Sequence, residues 1–183
     1  MKTKVFLSLI AAAAAFGLSA CGGAQKGNGE SEEEMPMEIQ SEAEQYMGQA
    51  GLALSEGNNE GAMANYLAAA DIYDKSGKVT VERAEAHFLA ADLAYQLSER
   101  EIAIEEYEKA VDIYLRFTGN SRIKAANALN NMGSIYKELQ NKSRAMNCWN
   151  RALELYREAP AELKNEVNIQ KIEQNIRDLE AGF

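Results

Sequence analysis

The sequence predicts an all-α fold, a helical solenoid of three stacked helix hairpins closed by a last capping helix. Three observations carry this. From about Ala126 to Ala159 apolar residues recur at helical spacing in two successive stretches: Leu129, Met132, Gly133 and Tyr136, then Ala145, Trp149, Ala152, Leu153 and Tyr156. The second stretch has two earlier copies. Ala103, Tyr107, Ala110 and Tyr114 superpose on Ala145, Trp149, Ala152 and Tyr156, as do Ala62, Tyr66, Ala69 and Tyr73, at spacings of 42 and then 41 residues. Finally, the chain holds 2 prolines and no run with strand alternation.

Taken in order, residues 1–20 read as a targeting segment outside the fold. Lys2 and Lys4 supply its positive end, and Val5–Leu18 is a 14-residue apolar run. That is shorter than the roughly 20 apolar residues that a membrane-spanning helix needs. The run ends in Leu18-Ser19-Ala20-Cys21, which resembles the lipobox of bacterial lipoproteins. The resemblance implies a thioether to diacylglycerol at Cys21 and a mature chain held by acyl chains, each buried methylene contributing about 0.8 kcal/mol. Gly22 follows, and by resemblance to lipoprotein sorting the absence of Asp there implies the outer membrane. The alternative is an ordinary secretory signal with a coincidental cysteine.

Residues 21–40 hold glycines, a run of glutamates and Pro36. Such a stretch cannot bury enough apolar surface to offset its ordering entropy, so a flexible acidic tether is expected. Ser31-Glu32-Glu33-Glu34 loosely resembles the acidic tract that routes some lipoproteins to the cell surface, although it does not adjoin the cysteine. The anchored protein would thus face the periplasm or the cell surface.

The repeats occupy residues 41–160. Ser41 with Glu44, and Ser98 with Glu101, have capping-box spacing and are expected to open the first and fourth helices. Gly77 and Gly119 sit where a left-handed residue would close a helix. Asn141 is placed to cap the sixth helix, and Pro160 to end the third hairpin. Gly133 and Ala145 stand where the last two helices are expected to cross closely. Residues 161–183 are expected to form the capping helix, roughly Ala161–Glu180, with a stripe of Leu163, Val167, Ile172, Ile176 and Leu179.

The alternation of small and large residues at Leu129, Met132-Gly133, Tyr136, Ala145, Trp149 and Ala152 resembles a tetratricopeptide repeat, whose usual length is about 34 residues. In the earlier copies the first-helix places fall to His87 and Ala91, and to Tyr46 and Ala50. The resemblance implies a groove lined by first helices and suited to a peptide or helix of another protein. Carried over, it implies groove positions Glu85, Phe88, Asp92, Tyr95 and Gln96 in the second repeat. The third would present Asn127, Asn130, Ser134, Lys137 and Glu138, and the first Met47, Gly51 and Leu54. Phe88 and Tyr95 would be the anchors, or else would pack on the capping helix or a neighbouring repeat. The Lys/Asn carboxylate clamp of some members is missing, since Phe88 and Asp92 occupy two of its places.

Composition narrows the function. The formal charge is −9, and loss of Lys2 and Lys4 with the targeting segment takes it to −11, which argues against nucleic acid as a partner. The chain has a single histidine, His87, expected to pack between helices, and no phosphate loop, nucleophile elbow or metal-ligand spacing. No catalytic residue, metal or cofactor is implied. Cys148 would be left as a single thiol, expected to behave as a small buried hydrophobe. Two functions fit: a membrane-anchored adaptor that holds another envelope protein, or a self-associating structural protein of the envelope.

Overall fold

The computed structural model describes residues 36–182. Residues 1–35, with the targeting segment, Cys21 and most of the expected tether, lie outside the described residues. The elements are α1 (Met37–Ser55), α2 (Asn59–Ser76), α3 (Val81–Gln96), α4 (Arg100–Tyr114), α5 (Asn120–Glu138), α6 (Lys142–Glu158), a 3-10 turn (Ala161–Leu163) and α7 (Glu166–Ala181). They pair as three hairpins, α1–α2, α3–α4 and α5–α6. Each hairpin packs on the next through α2 against α3 and α4 against α5, and α7 closes the row on α6. No strand occurs among the described residues.

The repeat register holds through the whole row. Ala62, Ala103 and Ala145 are buried, as are Tyr66, Tyr107 and Trp149, then Ala69, Ala110 and Ala152, then Tyr73, Tyr114 and Tyr156. Three equivalent positions therefore supply a small residue at the crossing and rings above it, and burial of those rings drives the stack. Gly133 serves a purpose beyond a close crossing with Ala145. A Cβ there would collide with Trp149 at Nε1 and Cδ1 and stand 2.8 Å from Cε2. The larger indole needs a glycine where Tyr107 and Tyr66 are matched by Ala91 and Ala50.

The three hairpin turns share one solution. Gly57, Ser98 and Gln140 all take positive φ, at 75°, 67° and 57°. Around the last of these, Asn141 N–H donates to Tyr136 O at 2.8 Å and Gln140 N–H to Lys137 O at 2.9 Å. These bonds satisfy carbonyls that the end of a helix leaves open, the arrangement of a Schellman motif. Asn58 and Asn141 then cap α2 and α6, accepting from Gly61 N–H at 2.9 Å and Arg144 N–H at 3.1 Å.

Several expected boundaries are corrected. Ser41 lies inside α1, which starts at Met37 after Pro36, whose fixed φ of −51° suits a helix entry; the expected tether loses its last four residues to that helix. Ser98 does not cap α4, because it fills the left-handed turn position, and Glu99 stands at the cap without a side-chain bond. Gly77 closes α2 in the left-handed region as expected. Gly119 instead opens α5, at φ 62° and ψ −127°. The capping helix starts at Glu166, not Ala161: Pro160 leads into the 3-10 turn, and the Asn165 side chain accepts from Asn168 N–H at 3.0 Å. That shift turns Val167 outward, 73% exposed, and puts Ile169 beside Ile172 in the buried stripe.

Candidate functional site

The first helices α1, α3 and α5 form one face of the row, and α3 also touches α5 directly. The side chains expected to line a groove there are largely engaged with one another. Phe88 is half-buried and meets Tyr107 and Tyr114 edge-on, with centroids 5.7 and 6.4 Å away. Both rings belong to the second helix of its own hairpin. Tyr95, also half-buried, donates its hydroxyl to Glu138 Oε1 at 2.6 Å, and Arg100 Nε donates to Glu138 Oε2 at 3.0 Å. Burial first, then the bond to Glu138, pushes the Tyr95 phenol up to about 12. Hydrogen bonding from Tyr95 holds Glu138 below the usual carboxylate range. Packing on a neighbouring repeat is thus what the structure shows for Tyr95.

Two polar clusters stitch successive hairpins. Asp92 accepts from Tyr107 Oη and from Asn131 Nδ2 at 3.2 Å, so α3, α4 and α5 meet at one carboxylate. Burial raises the pKa of Asp92 despite these two donors. One repeat along, Asn127 Oδ1 accepts from Tyr156 Oη, whose oxygen in turn accepts from Asn168 Nδ2 at 3.0 Å. That second cluster ties α5, α6 and α7. A further bridge joins Lys124 Nζ to Glu85 at 3.2 Å.

The rest of the face is freer. Asn130 O accepts from Trp149 Nε1 at 3.2 Å, while the Asn130 side-chain Oδ1 is buried without a hydrogen-bond partner. Ser134 Oγ donates back to Asn130 O at 3.3 Å. Lys137 forms no ion pair among the described residues. Gln96 and Gly51 are exposed, Met47 is half-buried and Leu54 is exposed. Asn130, Ser134 and Lys137, on consecutive turns of α5, are what the face offers a partner in the third repeat.

One cluster escaped the sequence. His87 is 1% exposed and sits between two carboxylates, with Nδ1 2.6 Å from Glu106 Oε2 and Nε2 3.0 Å from Asp74 Oδ1. Each ring nitrogen thus faces a carboxylate oxygen, and His87 on α3 bridges α2 to α4. Burial acts to raise both acids, but hydrogen bonds from His87, with Arg83 on Asp74 and Lys109 on Glu106, hold each below its usual range. A single histidine gave no signal of this, since its partners lie 13 and 19 residues away. Cys148 is buried, and burial pushes its thiol up to about 11, which disfavours the thiolate. Among the described residues no group of His, Cys, Asp or Glu could hold a metal ion, and no helix is long and apolar enough to cross a membrane.

The profile of the SNAP family, soluble NSF attachment protein, matches residues 40–180. Among solved structures, the chain is similar to BtubC (BKLC) from P. vanneervenii, at 24% identity and a TM-score of 0.59, covering 79% of this chain and 56% of that one. It is similar to the N-terminal domain of stress-induced protein-1 (STI-1) from C. elegans, at 15% identity and a TM-score of 0.60, covering 78% and 97%. It is also similar to the apo form of RapI, at 21% identity and a TM-score of 0.63, covering 83% and 51%. The chain therefore spans about half the length of BtubC and of RapI. At these identities the likeness shows the fold, a tetratricopeptide-like stack of helix hairpins. No curated protein matches the chain.

Proposed function

The chain belongs to the soluble NSF attachment protein family, and from that premise we propose that it is a protein-binding scaffold of the bacterial cell envelope, held to the outer membrane by lipid on Cys21. The observation that carries the binding role is the row of three hairpins, which presents α1, α3 and α5 as one continuous face. The family description, an attachment protein, supports binding over catalysis, and it calls the family soluble. The anchor rests on residues 1–21 alone, which precede the matched region. On this reading a peptide or helix of another envelope protein lies along the face, contacting Asn130, Ser134 and Lys137 of α5 and Leu54 of α1.

Two experiments test the two halves. Cys21→Ser should release the protein from membranes after a carbonate and salt wash; continued fractionation with membranes would sink the anchor. Pull-down from solubilised envelopes should recover a distinct protein with the native chain and lose it with Ser134→Arg/Lys137→Glu, with circular dichroism expected to show that variant folded. Capture unaffected by that variant would remove the first-helix face from the account.

A second reading, self-association, has its own observation. α1, the first helix of the described row, leaves Leu52 61% exposed. Recovery of nothing but further copies of the chain would favour it.

A further inference from the structure

The opposite side of the row holds a groove that the first-helix face does not use. α4 and α6 each pack on α5 far more than on one another, and the gap between them is a cleft of about 660 Å³. It adjoins a second of about 380 Å³ that runs toward the α5–α6 turn, with Glu108, Tyr136 and Arg144 lining both. The two walls differ in sign. Along α4 stand Glu101, Glu105, Glu108 and Asp112. Their spacing of 4, 3 and 4 residues puts them on one ridge about 16 Å long at 1.5 Å per residue. Along α6 stand Arg144 and Arg151, two turns apart on the facing side.

These charges are mostly unspent. Glu105 pairs with Lys109 at 2.9 Å, and Arg144 lies over the Tyr136 ring at 5.4 Å and donates to its hydroxyl. Glu101, Glu108, Asp112 and Arg151 form no ion pair among the described residues. The floor and mouth at the turn end are apolar: Tyr136 below, half-buried Ile104 beside it, and Leu139 45% exposed.

We propose that this groove docks an amphipathic helix of a partner protein, with basic residues along one edge against α4, acidic residues along the other against Arg144 and Arg151, and apolar residues over Ile104, Tyr136 and Leu139. A ridge with helical spacing is matched by a partner of the same spacing, which favours a helix over an extended strand. Opposite signs on the walls fix the direction in which that helix lies, because reversing it would set like charges face to face. A second copy of the chain fits less well, since Asp and Glu number 28 against 19 Lys and Arg. The site is separate from the first-helix face and stands or falls without it.

The test uses the full-length chain in detergent and a fluorescent synthetic helix of about 18 residues, five turns, with a leucine stripe, lysines along one edge and glutamates along the other. A control carries glutamates on both edges. The two-sign peptide should bind at least about tenfold more tightly than the control. Glu108→Lys/Asp112→Lys should reverse that preference, while Ser134→Arg/Lys137→Glu on the other face should change nothing. Arg151→Glu, an exposed single change, should weaken the two-sign peptide should the double variant not fold. Equal binding of the two peptides, an unchanged preference in the α4 variant, or loss only with the α5 variant would overturn the proposal. So would binding replaced by self-association of the chain in sedimentation.

Discussion

Gly133 and Trp149 show how one atom decides a repeat. Adding a methyl group to a helical glycine ordinarily gains about 1 kcal/mol of helix propensity. Here the Cβ would enter the indole, and overpacking a filled core costs about 1–3 kcal/mol, so overpacking wins. Gly133→Ala should lower stability by up to about 2 kcal/mol in urea titration, and the same change on a Trp149→Tyr background should be neutral or better. A loss of equal size on both backgrounds would mean the indole is not what the glycine admits.

The acids enclosed between the helices differ in the direction of their shifts. Asp74 and Glu106 have folded pKa values below the unfolded ones. Their stabilisation is therefore present above the unfolded carboxylate range, about 4, and is lost as pH falls through their lower folded values. Thermal unfolding should thus become steeply pH-dependent in acid, and Glu106→Gln should flatten that dependence while lowering stability at neutral pH. His87→Ala removes the ring that bridges buried Glu106 to half-buried Asp74, while Arg83 and Lys109 stay on the two carboxylates, and should cost about 1–3 kcal/mol. Asp92 runs the other way: its pKa is raised, so its charge is a burden at neutral pH. Asp92→Asn, which keeps an acceptor for Tyr107, should be neutral or stabilising.

At the scale of the elements, the turns set the limit of what the sequence made legible. The apolar ladder of Tyr66, Tyr107 and Trp149 placed every second helix correctly, because ring burial dominates and leaves a 3.6-residue imprint. Boundaries depend on smaller local preferences. Ser98-x-x-Glu101 matches a capping box, yet the hairpin geometry assigns Ser98 to the left-handed position, and packing overrides the cap. Gln140 occupies the same strained place, which glycine takes at position 57. Gln140→Gly should therefore raise the unfolding midpoint by an amount corresponding to about 0.5–1 kcal/mol. No gain would mean that the turn holds its glutamine without strain. The capping helix was misplaced at its start for a similar reason: Leu163 and Val167 are apolar, but Asn165 offers the better cap and rotates the stripe to Ile169 and Ile172.

Across the whole molecule, stacking explains both the stability of the row and the contacts that Phe88 and Tyr95 make within it. A solenoid unit contacts only its neighbours, so residues between first helices are drawn into joining one hairpin to the next. Phe88, Asp92, Tyr95 and Asn127 were legible as residues of that face from the repeat register. Their engagement was not, because Asn131, Glu138 and Asn168, which meet three of them, lie 39, 43 and 41 residues further along. Phe88→Ala/Tyr95→Ala should consequently cost several kcal/mol of stability, of a total that for a domain is about 5–15 kcal/mol. What is left for a partner on that face lies on α5 and at the end of α1.

A photoreactive residue at position 137 in the full-length protein, irradiated in intact envelopes, tests the scaffold reading most directly. The account predicts a cross-link to a distinct protein that is lost when Ser134 is also changed to Arg. Cross-links confined to other copies of the chain, or none at 137 while position 112 cross-links strongly, would contradict it.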